Sequence, residues 1–298
     1  MCGHTKDVFV ASGDASSALR LRRRIQSRSR NSFARVGFVL FVGWLVFLLP
    51  ARSFAKECGD DIGGHRIACD CGDTVVSNTT LRPNDPIVAG RCRGDGLEIE
   101  ADDMAETLVL ELDGRAIVGS GSGVGIEIES GGSEGAVVIG GHDGERGQVV
   151  AFNIGVRARN PRAIRRIQSL DLKGNRHEGL WLRTNGTMVI DVRAVRNSSD
   201  GLRVMGRGGR LIGIEARENG GSGLRSYAYD LIIDARAVGN KLHGIALSGY
   251  RNELGDSVAE DNGGYGVIVT GNGHDLTGVV ASGNRLGAVK RRQGGILR

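Results

Sequence analysis

The sequence predicts an all-β solenoid with coils of about 22 residues, and three columns of residues in one register predict it. Asn175, Asn197, Asn219, Asn240, Asn262 and Asn284 follow one another at spacings of 22, 22, 21, 22 and 22. Three positions before each stands a small or aliphatic side chain: Leu172, Ala194, Ala216, Ala237, Ala259 and Ala281. A glycine opens the next stretch in step with them: Gly179, Gly201, Gly223, Gly244, Gly266 and Gly287. A backbone that repeats at this period stacks one small structural unit upon itself.

Each part of the unit can be read in turn. "VIDVRAVRN" (189–197) and "LIGIEAREN" (211–219) carry the aliphatic spacing of leucine-rich repeats, which share the period. The remainder of the unit excludes that architecture. "SSDGLRVMGRGGR" and "GGSGLRSYAYD" are too rich in glycine and lack the helical period. They read as short alternating strands, with Leu202 and Val204 inward and Arg203 and Met205 outward. A coil made of short strands and turns is a parallel β-helix. Its many turns use the 49 glycines, while only four prolines interrupt the ladder donors. Stacked coils place equivalent residues about 4.8 Å apart. Asparagines buried at one corner then bond up and down the stack as an amide ladder. The competing reading is that each Asn merely tolerates a left-handed turn; the strict spacing favours the ladder.

A pattern N-x-x-x-G-[ILV]-x-[ILV] recurs, as in "NSSDGLRV" and "NGGYGVIV". It resembles the repeats of the right-handed parallel β-helix superfamily (the pectin lyase-like fold). That superfamily includes pectate lyases, polygalacturonases, alginate epimerases and NosD-like periplasmic proteins. "CGDTVVSNTTL" (71–81) and "LVLELDGRAIVGSG" (108–121) are similar to the first coils of NosD-like members. Glu111 and Arg115 stand where those members more often carry Asp and His. The resemblance spans roughly residues 70–290 and implies a fold rather than one activity, because this fold hosts many chemistries.

Three segments are expected. Residues 1–55 read as a secretory leader: a basic stretch "RLRRRIQSRSRNSFAR" (20–35), the uncharged "VGFVLFVGWLVFLLP" (36–50), and "SFA" (53–55) before a cleavage point. An uncleaved anchor is the other reading, although the apolar run is short for a bilayer span. Membrane contact is expected only through such a leader. Residues 56–124 read as a disulfide-stapled cap and first coils, and 125–298 as regular coils.

The leader holds nine of the 39 Lys and Arg and two of the 34 Asp and Glu, so the remainder carries 30 basic and 32 acidic residues. A net charge of −2 does not support bulk attraction to nucleic acid. Cys58, Cys69, Cys71 and Cys92 crowd into the start of the remainder and imply two disulfides in an oxidising compartment. Three pairings are possible; Cys58–Cys69 with Cys71–Cys92 is favoured, as a staple over the first coil's open apolar end. Zinc is the alternative, but "CDC" chelates poorly and no histidine cluster lies nearby. At the other end, Lys290, Arg291 and Arg292 would blunt an exposed edge strand.

Outward positions of one sheet follow from the register, as the second and fourth residues after each opening glycine. They are Glu127 and Glu129, Arg157 and Arg159, Trp181 and Arg183, Arg203 and Met205, Arg225 and Tyr227, Ala246 and Ser248, and Ile268 and Thr270. Guanidinium forks suit carboxylates and flat aromatics suit sugar faces. Arg157, Arg159, Trp181, Arg183, Arg203, Arg225 and Tyr227 are therefore expected to form a groove for an acidic polysaccharide, one uronate per coil. An ordinary solvated face, with Glu127 pairing Arg157, is the plain alternative.

The corner residues before the glycines make a second column: Glu178, Asp200, Ser222, His243 and Tyr265. Glu178 and Asp200, one coil apart, are candidates for a catalytic acid and base, against the plain reading that Asp and Ser suit turns. Motifs of the named enzymes are missing. "GLRVM" and "GIALS" replace the Asp-Pro-His-Asp of alginate epimerases, and "GNGHD" (271–275) is not the Gly-His-Gly of polygalacturonases. No cofactor or metal is expected. Calcium has no support beyond "ADDMAE" (101–106), which reads as a solvated turn, and His65, His142, His177, His243 and His274 are scattered. The leading expectation is a secreted or periplasmic protein that binds acidic polysaccharide and, if Glu178 and Asp200 are catalytic, processes it. The alternative is a non-catalytic structural or envelope-assembly module.

Overall fold

The structure is a computed structural model that describes residues 56–100, 107–129 and 135–292. The expected leader and the "ADDMAE" stretch lie outside these residues. Within them the chain is an all-β solenoid of about ten turns. One parallel sheet runs through Val124–Ile128, Ile154–Ala158, Leu180–Leu182, Leu202–Arg207, Leu224–Ala228, Ile245–Tyr250 and Tyr265–Asn272. A second is built on the long strands Ile164–Lys173, Met188–Val195, Arg210–Arg217 and Leu231–Val238. Each long strand contains one left-handed residue, Ser169, Asp191, Gly213 or Asp234, with φ from 50° to 65°. The chain turns there, so one strand supplies two walls. In the next coil the same turn, with Asp256 left-handed, separates Glu253–Gly255 from Val258–Glu260.

Three walls enclose one core. Leu180, Leu202, Leu224, Ile245 and Val267 are successive partners in the first wall, and all are buried. Val189, Leu211, Ile232 and Leu254 do the same in the second, and Leu172, Ala194, Ala216, Ala237 and Ala259 in the third. Earlier coils are longer: Ile126 pairs with Val156 and Val156 with Leu180, spacings of 30 and 24. The period of about 22 residues sets in from Leu180.

The asparagine column is a ladder. Asn175 N and Nδ2 both donate to Asn197 Oδ1, at 3.1 and 2.8 Å. The same double bond links Asn197 to Asn219, Asn219 to Asn240, Asn240 to Asn262 and Asn262 to Asn284. From Asn197 onward each Nδ2 also donates to a carbonyl of the small-residue column, Leu172 through Ala259. The left-handed residue is not the asparagine but the one before it: Gly174, Arg196, Glu218, Gly239, Asp261 or Gly283. The ladder also explains the glycine column. A Cβ on Gly201 would stand 2.7 Å from Asn219 Nδ2 and 2.6 Å from the Gly223 carbonyl oxygen. Close backbone approach, not a special φ, demands glycine there.

At the N-terminal side, Glu57–Ile62 and His65–Ile67 form an antiparallel hairpin on the edge of the first sheet. Cys58 pairs with Cys69 and Cys71 with Cys92, the favoured arrangement. The fully buried Asp85 takes both oxygens' bonds from Arg66 at 2.7 Å, so the cap is tied by charge as well as by sulfur. The last described strand, Gly287–Arg292, carries Lys290, Arg291 and Arg292 and is exposed throughout.

Candidate functional site

The first sheet orders its outward residues into two columns along the stack. Glu127, Arg157, Trp181, Arg203, Arg225, Ala246 and Ile268 are successive partners, so the expected register holds. Glu129, Arg159 and Arg183 begin the neighbouring column; Arg183 N donates to the Ala158 carbonyl at 2.8 Å, which sets it one coil beyond Arg159. Ala246 and Ile268 keep the outward register but are only 3 % and 8 % exposed, so the open part of this face ends near Tyr227.

Most of the arginines in the first column are already neutralised. Arg157 Nε donates to the buried Glu127 Oε2 at 2.5 Å. Arg203 Nη1 lies 3.6 Å from Glu178 Oε1, and Arg225 Nε donates to Asp200 Oδ2 at 2.9 Å. Glu178 and Asp200, the expected acid and base, are both buried at the corner and act here as counterions. Asp200 Oδ1 also accepts the Ser222 N–H at 2.7 Å, and Glu178 Oε1 accepts Ser199 Oγ at 3.3 Å. The pairing is diagonal: Arg225 lies 25 residues beyond Asp200, and Arg203 stands in the same relation to Glu178. Where the corner residue loses its charge, at Ser222 and His243, the outward partners are Ala246 and Ile268. Acid and arginine appear and vanish together. Burial raises the Glu127 carboxyl above its usual range against the opposing pull of Arg157. Burial also lowers His243, helped by Arg225 and Arg292; its Nδ1 accepts the Tyr265 N–H at 3.0 Å.

Arg159 and Arg183 are different. Arg159 is half exposed, with its guanidinium carbon 5.9 Å from the centre of the Trp181 ring and its Nε 3.9 Å from Glu127 Oε1. Arg183 is exposed, and among the described residues its side chain has no ion pair or hydrogen bond. Both line a groove of about 600 Å³ with Arg157, Glu178, Trp181, Arg203, Met205 and Tyr227. Four guanidinium groups and one carboxylate face it. Arg225 and Asp200 lie beside it, outside the lining.

The contrast is on the third wall, where a groove of about 680 Å³ is also strongly charged. There Asp171, Arg193, Glu215 and Arg236 are successive partners of alternating sign. Arg193 meets Glu215 at 3.2 Å, Arg196 meets Glu218 at 2.6 Å, and Asp171 is held by Arg146 and Lys173, each at 2.6 Å. That face neutralises itself from coil to coil. The first sheet instead sets two guanidinium groups on adjacent coils with a single distant carboxylate, an arrangement that repels itself until an anion arrives.

Residues 155–297 match the family model described as the right-handed beta helix region. The match covers just under half of the chain and agrees with the β-solenoid of the structure. No curated protein and no solved structure matches the chain. The similarity agrees with the fold of the coils and says nothing of the chemistry of the groove. Among the described residues no three His, Cys, Asp or Glu side chains group to hold a metal ion.

Residue-by-residue reading of the sequence missed one β-helix feature near this face. Asp230, Asn252 and His274 form a second ladder at spacings of 22: Asp230 N donates to Asn252 Oδ1 at 3.0 Å and Asn252 N to His274 Nδ1 at 3.2 Å. Three residue types share the column, so no single letter marks it.

Proposed function

We propose that this β-helix binds an acidic polysaccharide along the outer face of its first sheet. The observation that carries the reading is Arg183, an exposed guanidinium without a partner among the described residues, one coil from Arg159 and beside Trp181. Arginine forks take carboxylate or sulfate oxygens in pairs, and an indole face packs on a sugar ring. Two disulfides are consistent with a secreted or periplasmic site, where such polymers occur. With Glu178 and Asp200 engaged by Arg203 and Arg225, the reading is of binding rather than bond cleavage.

The test falls on Arg159 and Arg183, because reversing Arg203 or Arg225 would break a buried ion pair and confound binding with folding. Arg159→Glu with Arg183→Glu is expected to abolish binding to acidic polysaccharides measured by affinity electrophoresis. Wild-type binding should weaken as salt rises, and a neutral glucan should not bind. Equal binding by the double variant and the wild type, or binding indifferent to salt, returns this face to plain solvent and favours the structural or envelope-assembly module.

A further inference from the structure

We infer that the groove is matched to a polymer in which acidic sugars are separated by neutral ones, not to a continuous polyuronate; the inference rests on the polysaccharide reading above. Coils are stacked at about 4.8 Å, close to the length of one sugar residue in an extended chain, so a polymer along the axis meets about one coil per sugar. Along the outer column the sequence of side chains is Glu129, Arg159, Arg183, Met205, Tyr227. The open positive charge therefore occupies two coils and no more.

What lies on either side of it is hostile to a second acid. Toward the N-terminal end stand Glu98, Glu100, Glu127 and Glu129; burial and the neighbouring carboxylates raise Glu98 above its usual range. Toward the C-terminal end the cations on the next two coils, Arg203 and Arg225, are held by Glu178 and Asp200. An acid sugar there would meet paired arginines with carboxylates behind them. What the groove offers at those coils is Met205 and the Tyr227 ring, which is 42 % exposed. The strand Leu202–Arg207 slips register between Val204 and Arg207, so Met205 sits in a bulge. Bulges re-aim side chains, often beside binding sites. An acid clamped between Arg159 and Arg183, followed by neutral rings over Met205 and Tyr227, satisfies every one of these groups.

The discriminating experiment is calorimetric titration with three oligosaccharides of equal length: a repeat of one uronate and three neutral sugars, continuous galacturonate, and a neutral glucan. The sparsely charged oligomer should bind about tenfold tighter than the galacturonate despite carrying about a quarter of its charge, and the glucan should not bind. Tyr227→Ala, at an exposed position, should cost the sparsely charged oligomer about tenfold in affinity, as expected for one lost ring stack, and leave the galacturonate unchanged. Galacturonate binding as tight as or tighter than the sparsely charged oligomer overturns this inference and leaves the acidic-polysaccharide reading standing. So does an unchanged affinity in Tyr227→Ala, which removes the neutral sugar from this face. Binding of none of the three, or of the glucan as well as the others, overturns both.

Discussion

Asn219→Leu is expected to cost about 2–6 kcal/mol of folding stability, read as a lower urea midpoint than the wild type under identical conditions. The magnitude follows from what the amide holds. Asn219 Oδ1 accepts both Asn197 N and Asn197 Nδ2, at 3.0 Å each, and its Nδ2 donates to the Ala194 carbonyl at 3.0 Å. Leucine has nearly the same shape and none of these groups. Four buried polar groups lose a partner at once: Asn197 Nδ2 keeps Leu172 O and Asn240 Oδ1 keeps Asn219 N, while Asn197 N and the Ala194 carbonyl lose theirs at about 1–3 kcal/mol each. Relaxation is blocked on the other side, because Gly201 lies against this amide with no room for even a Cβ. An unchanged midpoint would mean that water reaches the corner and that the ladder amides do not depend on one another.

The ladder was legible in the sequence because stacking makes one geometry recur, and one geometry selects one residue type. Only asparagine both accepts from and donates to its own copy at the coil spacing, so Asn175 through Asn284 stand out as a single letter. The glycine column follows from the ladder's proximity, and the disulfide pairing from the need to close an apolar end. The first sheet's outward register was legible for the same reason, down to Glu127, Arg157, Trp181, Arg203 and Arg225 as neighbours. Which arginines are free was not. That depends on a diagonal contact, Glu178 to Arg203 and Asp200 to Arg225, whose offset is neither a column nor a strand alternation. The longer coil between Ile126 and Val156 was also hidden, because an inserted turn leaves no periodic mark. The left-handed positions before the asparagines were obscured by their variety: Arg196 and Glu218 adopt a conformation that glycine takes at Gly174, Gly239 and Gly283. Tertiary bonding to the ladder overrides local preference there.

Asp230→Asn should stabilise the protein by about 3 kcal/mol at neutral pH and by much less below about pH 4. Asp230 is 1 % exposed, and among the described residues no cation offsets its burial. Its oxygens accept Ser226 Oγ and Gly209 N, each at 2.7 Å, and the Tyr227 N–H. Burial nevertheless outweighs these bonds and raises the carboxyl from 3.8 to about 6. The sign follows from which state holds the proton. The folded chain keeps it up to about pH 6, whereas the unfolded chain releases it near 3.8. Folding is therefore favoured most below the unfolded value, and this contribution is lost as pH rises through the folded one. Asparagine never ionises and escapes the loss. It also fits: Asn252, the next residue of the same ladder, donates its Nδ2 to the Ser248 carbonyl four residues back, and Ser226 stands four residues before Asp230. The reading is the difference in urea midpoint between variant and wild type at several pH values, which cancels other titrating groups such as His274 in the same column. A difference that stays flat from about pH 4 to 7, or a variant less stable than the wild type at neutral pH, would show that Asp230 is solvated or paired and that the second ladder tolerates a charge.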